Sequence, residues 1–117
     1  MIIAVVDDLI VCSRIRGAAR EAGVPIRFAR SPQALREAVA AALPSLVILD
    51  LDAERLEPLV AVAALKGDPA TASVRTVGFV SHVRADRIAA ARAAGVDEVV
   101  ARSAFAAELP AIVEAAT

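Results

Sequence analysis

Four carboxylates stand at the ends of apolar runs in this chain. Ile2-Ile3-Ala4-Val5-Val6 leads straight into Asp7-Asp8, and Ser45-Leu46-Val47-Ile48-Leu49, punctuated by Pro44, leads into Asp50-Leu51-Asp52. Short runs of Val, Ile and Leu suit strands buried on both faces. Open α/β sheets put their ligand sites outside the carboxyl ends of such strands, so three or four acids are expected to meet at one sheet edge. Two later runs end in Ser81 and Arg102 and add a hydroxyl and a cation to the set. Acids gathered there point to metal binding or phosphoryl chemistry. The plain alternative is that each one only caps its strand end and the helix that follows.

Positioning such a set requires alternating elements, and the chain reads that way from end to end. Residues 9–22 predict a helix with Val11, Ile15, Ala18, Ala19 and Ala22 on one face, closed by Gly23. A short strand follows at 25–29, then a helix capped by Ser31 with Pro32 at its first position and Ala34, Leu35, Ala38, Val39 and Ala42 inward. After the central strand at 45–50, a third helix over about 55–66 carries Leu56, Leu59, Ala63 and Leu65, with Pro58 acceptable in its first turn. A strand at 74–80, a helix at 84–94 stopped by Gly95 and a strand at 96–101 come next. Pro110 is expected to delay the last helix until near Ala106 or Ala107. Five alternations with short connections predict a parallel sheet with helices on both faces.

Composition sets the outer limits. The 117 residues, 58% of them hydrophobic, suffice for one packed domain. The formal net charge of -1 gives no electrostatic case for nucleic acid or an anionic membrane, and three Phe as the only aromatics offer no base-stacking platform. Lys66 is the single lysine among 13 basic residues. Cys12 stands alone, so no internal disulfide forms and a reducing, cytoplasmic setting is expected. No run approaches the roughly 18 apolar residues of a membrane helix, and the first residues do not resemble a signal peptide.

In order and spacing these pieces resemble the receiver domain of two-component response regulators, over essentially the whole chain. Val5-Val6-Asp7-Asp8 stands where that family has its acidic pair, Pro44 to Leu51 where it has the strand ending in its phospho-accepting aspartate, and Ser81 where it has Ser or Thr. Ala94-Gly95-Val96-Asp97-Glu98 is similar to its run into strand five. The resemblance implies a flavodoxin-like (βα)5 fold, a doubly wound five-stranded parallel sheet in three α/β/α layers. It implies that Asp50 accepts a phosphoryl group and that Mg²⁺ is held by Asp8 directly, Asp7 mostly through water, one Asp50 oxygen and the backbone carbonyl of Asp52. Ser81 and Arg102 would hold the phosphate and serve the switch. Mg²⁺ is a hard, oxygen-seeking ion, and in-line transfer needs positioning and charge neutralisation more than acid–base chemistry. The implied partners are a histidine kinase or phosphotransfer protein and a downstream protein target, with a homodimer left open. No enzymatic role beyond self-phosphorylation and slow autodephosphorylation is implied. Because the sequence stops at Thr117 with no output domain, a stand-alone receiver is expected.

Several positions depart from the family's pattern. Arg102 and Ser103 replace a lysine and a proline usually joined by a cis peptide bond, and a planar fork needs rearrangement to fill an ammonium site. Val99 replaces an aromatic that takes part in the switch, and Leu51-Asp52-Ala53-Glu54 lacks the usual Met-Pro. These changes support an alternative, a degenerate receiver that binds a partner without phosphorylation. A more distant one is a haloacid dehalogenase-like phosphatase, because Asp50-Leu51-Asp52 resembles that superfamily's Asp-x-Asp pair, although Asp7-Asp8 lies on the wrong side of it and the chain is short. Among the remaining residues, the Asp52 side chain reads equally as a helix N-cap. His82, the only histidine, reads as a loop residue facing solvent in preference to a general base. Cys12 reads as packing, and Arg84, Arg87 and Arg92 as a solvated helix face.

Overall fold

Branched aliphatic side chains restrict χ1 and pack well on a pleated surface, and the short runs of them fold as β1 (Ile2–Val5), β2 (Ile26–Phe28), β3 (Leu46–Asp50), β4 (Arg75–Val80) and β5 (Glu98–Ala101). The computed structural model describes residues 1–81 and 84–117, which leaves His82 outside. All strand pairs are parallel, in the order β2-β1-β3-β4-β5. The register sets Val5 beside Leu49, Asp50 beside Phe79 and Val80 beside Ala101. Every strand therefore delivers its last residues to the same edge.

Side-chain alternation along the strands feeds two cores. Ile2, Ala4, Leu46, Ile48, Val77 and Phe79 pack under α1 (Leu9–Ala22) and α5 (Arg102–Glu114). Ile3, Val5, Val47, Leu49 and Val80 pack under α2 (Pro32–Ala41), α3 (Pro58–Gly67) and α4 (Ala85–Ala94). Central β3 is buried throughout, as a strand covered on both faces must be. Helix punctuation follows local chemistry: Gly23 closes α1 at φ 70, and the Ser31 Oγ accepts the Ala34 N–H ahead of Pro32. None of the helices described is long and apolar enough to cross a membrane.

Two helices differ from expectation. The segment expected as one helix from about residue 55 is a single 3-10 turn, Glu54–Leu56, followed by α3, with Glu57 at φ 51 between them and Pro58 at the first helical position. Proline disfavours helical backbone in the residue before it, so the helix restarts there. Its face is turned accordingly: Ala61, Val62 and Leu65 are buried while Ala63 is exposed. In α5, helix begins at Arg102 and runs through Pro110. Pro110 lies on the exposed side, where the carbonyl freed by its missing N–H can face water, and Phe105, Leu109, Ile112 and Val113 anchor the helix on both sides of it. Tertiary packing outweighs the local break.

The lone lysine ties the opposite edge of the sheet. Its ammonium donates to the carbonyls of Ala72 and Val74 at 3.1 and 2.7 Å and to Asp97 Oδ2 at 2.8 Å. The same Asp97 oxygen accepts from the Thr76 N–H at 2.8 Å and its hydroxyl at 3.0 Å. Partial burial pushes the Asp97 carboxyl up, but the hydrogen bonds from Lys66 and Thr76 outweigh it and hold the group below its ordinary 3.8. A carboxyl lowered on folding contributes stability that is fully present above the unfolded value and is lost as pH falls through the folded one. Denaturant midpoints measured below pH 4 should therefore fall more steeply with acid in the wild type than in Asp97→Asn. Close packing makes a second expectation. A Cβ on Gly78 would lie 2.7 Å from Leu51 Cδ1 and 3.0 Å from its Cγ, and Leu51 is fully buried. Gly78→Ala should lower stability by about 1–3 kcal/mol in urea unfolding, through the overpacking of a side chain that has no room to yield.

Candidate functional site

Asp50, the last residue of β3, is 3% exposed and carries its carboxylate to the shared strand edge. A charge at that depth needs partners. Arg102, first in α5, supplies them: its Nη2 lies 3.0 Å from Asp50 Oδ1 and 3.1 Å from Oδ2. The Asp52 N–H donates to Oδ1 at 3.0 Å. The long arginine reaches this point by lying over the Phe79 ring, 4.9 Å from its centroid, and Phe79 is itself stacked on Phe105 at 4.4 Å. Cation–π contact and a flat aromatic surface thus steer a planar fork onto one carboxylate. Burial pushes the Asp50 carboxyl above its ordinary 3.8, and the Arg102 charge and the Asp52 N–H offset that only in part.

Asp52 and Ser81 form a second layer. Asp52 Oδ2 accepts from the Ser81 N–H and from its hydroxyl, both at 3.0 Å, and stands 3.5 Å from Arg102 Nη2. Its other oxygen is buried with no hydrogen-bond partner among the described residues. The side chain does not cap α3, whose N-cap position is Glu57. The Asp52 carbonyl accepts the Glu54 N–H at 3.1 Å, closing the turn after β3.

The acidic pair after β1 divides. Asp8 is exposed, and its Oδ1 caps α1 by accepting from the N–H groups of Ile10 and Val11 at 2.9 and 3.1 Å. Asp7 is clasped by Arg55, whose Nε and Nη2 lie 2.9 and 2.6 Å from its two oxygens. Arg87 is also more than a solvated residue: it donates to the Leu51 carbonyl at 2.8 Å and pairs with Glu54, to which Arg84 comes within 3.8 Å. Arg92 is exposed as expected. Cys12 is buried, its thiol raised above its ordinary value by burial, in keeping with a packing role. Neither Arg55 nor Arg87 carries a signal in the sequence, because their partners lie 48 and 36 residues away.

Oxygen donors are the right chemistry for Mg²⁺, but they do not fit it in this arrangement. Among the described residues no three His, Cys, Asp or Glu side chains converge on a point that one ion could occupy. Arg55 holds both oxygens of Asp7, and Arg102 both of Asp50. Guanidinium groups carry the neutralising charge here.

Five parallel strands in the order 2-1-3-4-5, alternating with five helices on both faces, are the flavodoxin-like receiver fold. Solved structures of response regulators share it across nearly the whole chain. A candidate response regulator from Chloroflexus aurantiacus J-10-fl is 20% identical with a TM-score of 0.84, covering 97% of this chain and 93% of that one. The phosphorylated cyanobacterial phytochrome response regulator RcpA is 22% identical with a TM-score of 0.79, covering 97% and 88%. The Mn²⁺-bound form of response regulator Rcp1 is 16% identical with a TM-score of 0.75, again covering 97% and 88%. No protein-family model matches the chain, and no curated protein matches it in sequence.

The raised Asp50 carboxyl has a measurable consequence. A group that binds its proton more tightly in the folded state makes stability fall as pH rises from 3.8 through the folded value. In metal-free buffer at neutral pH, Asp50→Asn should melt at a higher temperature than the wild type and lose that part of the pH dependence.

Proposed function

We propose that this chain is a receiver-type signalling domain in which Asp50 accepts a phosphoryl group from a histidine kinase or phosphotransfer protein and so changes its affinity for a downstream protein. The observation that supports this best is Arg102 Nη2 set against both Asp50 oxygens, on a carboxylate at the end of the central strand. In the proposed step an Asp50 oxygen attacks phosphorus in line, the bond from phosphorus to the donor's nitrogen breaks, and the electron pair leaves with the imidazole. The product is an acyl phosphate on Asp50, with Arg102 neutralising charge that accumulates on the phosphoryl oxygens. Nothing turns over an external substrate in this scheme, so the domain is a switch and not an enzyme; hydrolysis of the acyl phosphate resets it.

Rcp1 is described in a Mn²⁺-bound form. An equivalent role for Mg²⁺ in this chain requires Arg55 to leave Asp7, and that pair is exposed on the arginine side, where ion pairs are weak. A second reading, an interaction module independent of phosphorylation, draws on the bonds that Asp52 already makes to Ser81 and Arg102.

Intact-mass spectrometry after treatment with acetyl phosphate, with and without Mg²⁺, separates the two. The expected result is a gain of one phosphoryl group, absent in Asp50→Asn and formed roughly a hundredfold more slowly in Arg102→Ala, the scale of losing one charge-stabilising donor. A wild-type protein that gains nothing under either condition, with Asp52→Ala equally inert, counts against phosphoryl transfer and favours the second reading.

A further inference from the structure

The donors beside Asp50 already hold an anion, and it belongs to the chain. Asp52 Oδ2 collects the Ser81 N–H and O–H at 3.0 Å each and lies within 3.5 Å of the Arg102 Nη2 that also contacts Asp50. Three donors aimed at one oxygen form a subsite that suits any tetrahedral or planar oxyanion. We propose that the Asp52 carboxylate is the resident occupant of this subsite and an internal competitor of the phosphoryl group, which must displace it before its own oxygens can reach Ser81 and Arg102. The inference rests on the reading of Asp50 as phosphoacceptor.

Charge and burial both argue for the competition. A second anion bonded to the same donors would sit against the first with no further cation between them among the described residues, and like charges in contact are strongly disfavoured. One of the two has to leave. Asp52 is the displaceable one because its hydrogen bonding is incomplete: Oδ1 is buried without a partner among the described residues, which costs the desolvation of a charged oxygen with nothing in return. Its side chain is 18% exposed against 5% for Asp50, so it has a route to water that Asp50 lacks. The backbone of the β3–α3 turn need not open for this, since the Glu54 N–H bond is to the Asp52 main chain. An occupant of this kind sets a threshold. A donor whose phosphoryl group binds weakly leaves Asp52 in place, and one held by a docked partner drives it out.

The test is the rate at which Asp50 gains a phosphoryl group from acetyl phosphate in Asp52→Asn and Asp52→Ala, followed by intact mass. In this reaction the Asp50 oxygen forms the new bond to phosphorus and acetate leaves with the electron pair of the broken P–O bond. Asp52→Ala should react about tenfold faster than wild type, and Asp52→Asn, which keeps the shape but not the charge, should lie between them. A wild type that reacts while both variants are equal or slower overturns the inference, and leaves Asp52 as a structural tie between the β3–α3 turn and Ser81. If no form reacts, the phosphoacceptor reading has failed by itself, and hydrogen exchange of the Ser81 amide in an Asp50→Asn background then decides the occupancy. Protection that drops about tenfold on adding Asp52→Ala, at unchanged exchange within β4, supports a filled subsite. Equal exchange overturns it.

Discussion

The carboxylate of Asp50, set almost out of contact with water at the end of the central strand, is the constraint that the rest of the site answers. An unpaired charge there would be too costly to keep. One guanidinium meets it, and that guanidinium is in turn positioned by a stacked pair of phenylalanines from β4 and α5. Helix α5 starts at Arg102, four or five residues earlier than Pro110 alone would suggest, and so brings the guanidinium to this point. Helix geometry at that point fixes the origin of the side chain, and Phe105 one turn on fixes the helix.

Around this pair the acidic edge is neutralised piece by piece. Arg55 answers Asp7, the first turn of α1 answers Asp8, and Ser81 answers Asp52. Arg87 reaches from α4 to the carbonyl of Leu51, the residue directly after Asp50, and so joins the α4 face to the turn that carries the site. With Val99 half-buried and no aromatic in β5, this polar contact is a direct mechanical link from the site to α4.

The sheet and the positions of Asp7, Asp8, Asp50, Ser81 and Arg102 at its edge were legible in the sequence because they rest on short-range signals: runs of branched residues, a Ser-Pro helix start, glycines in left-handed caps. Helix α3 was legible only in outline. Pro-Leu-Val-Ala-Val-Ala-Ala-Leu is apolar on every side, so no periodicity told which face turns inward. The pairings of Arg55 with Asp7, Arg87 with Leu51 and Lys66 with Asp97 were not legible at all. Each joins residues far apart in the chain, and an arginine or lysine on an exposed-looking helix or turn has the same local signature whether it points to water or folds back onto a carbonyl. What Asp52 does with its side chain belongs to the same group: the residue type suited a helix cap, and the neighbouring strand offered it better donors.

Lys66 gives the chain one further property. It is the single lysine, it lies in the last turn of a helix, and its side chain is 17% exposed with three acceptors around the ammonium. A protease that cuts only after lysine therefore has one bond to attack, and that bond is withheld as long as α3, the loop to β4 and the start of β5 stay together. Cleavage at this bond would yield two fragments only from molecules in which that corner has opened, so the native chain carries its own single-site reporter of local unfolding, at the end of the sheet farthest from the acids.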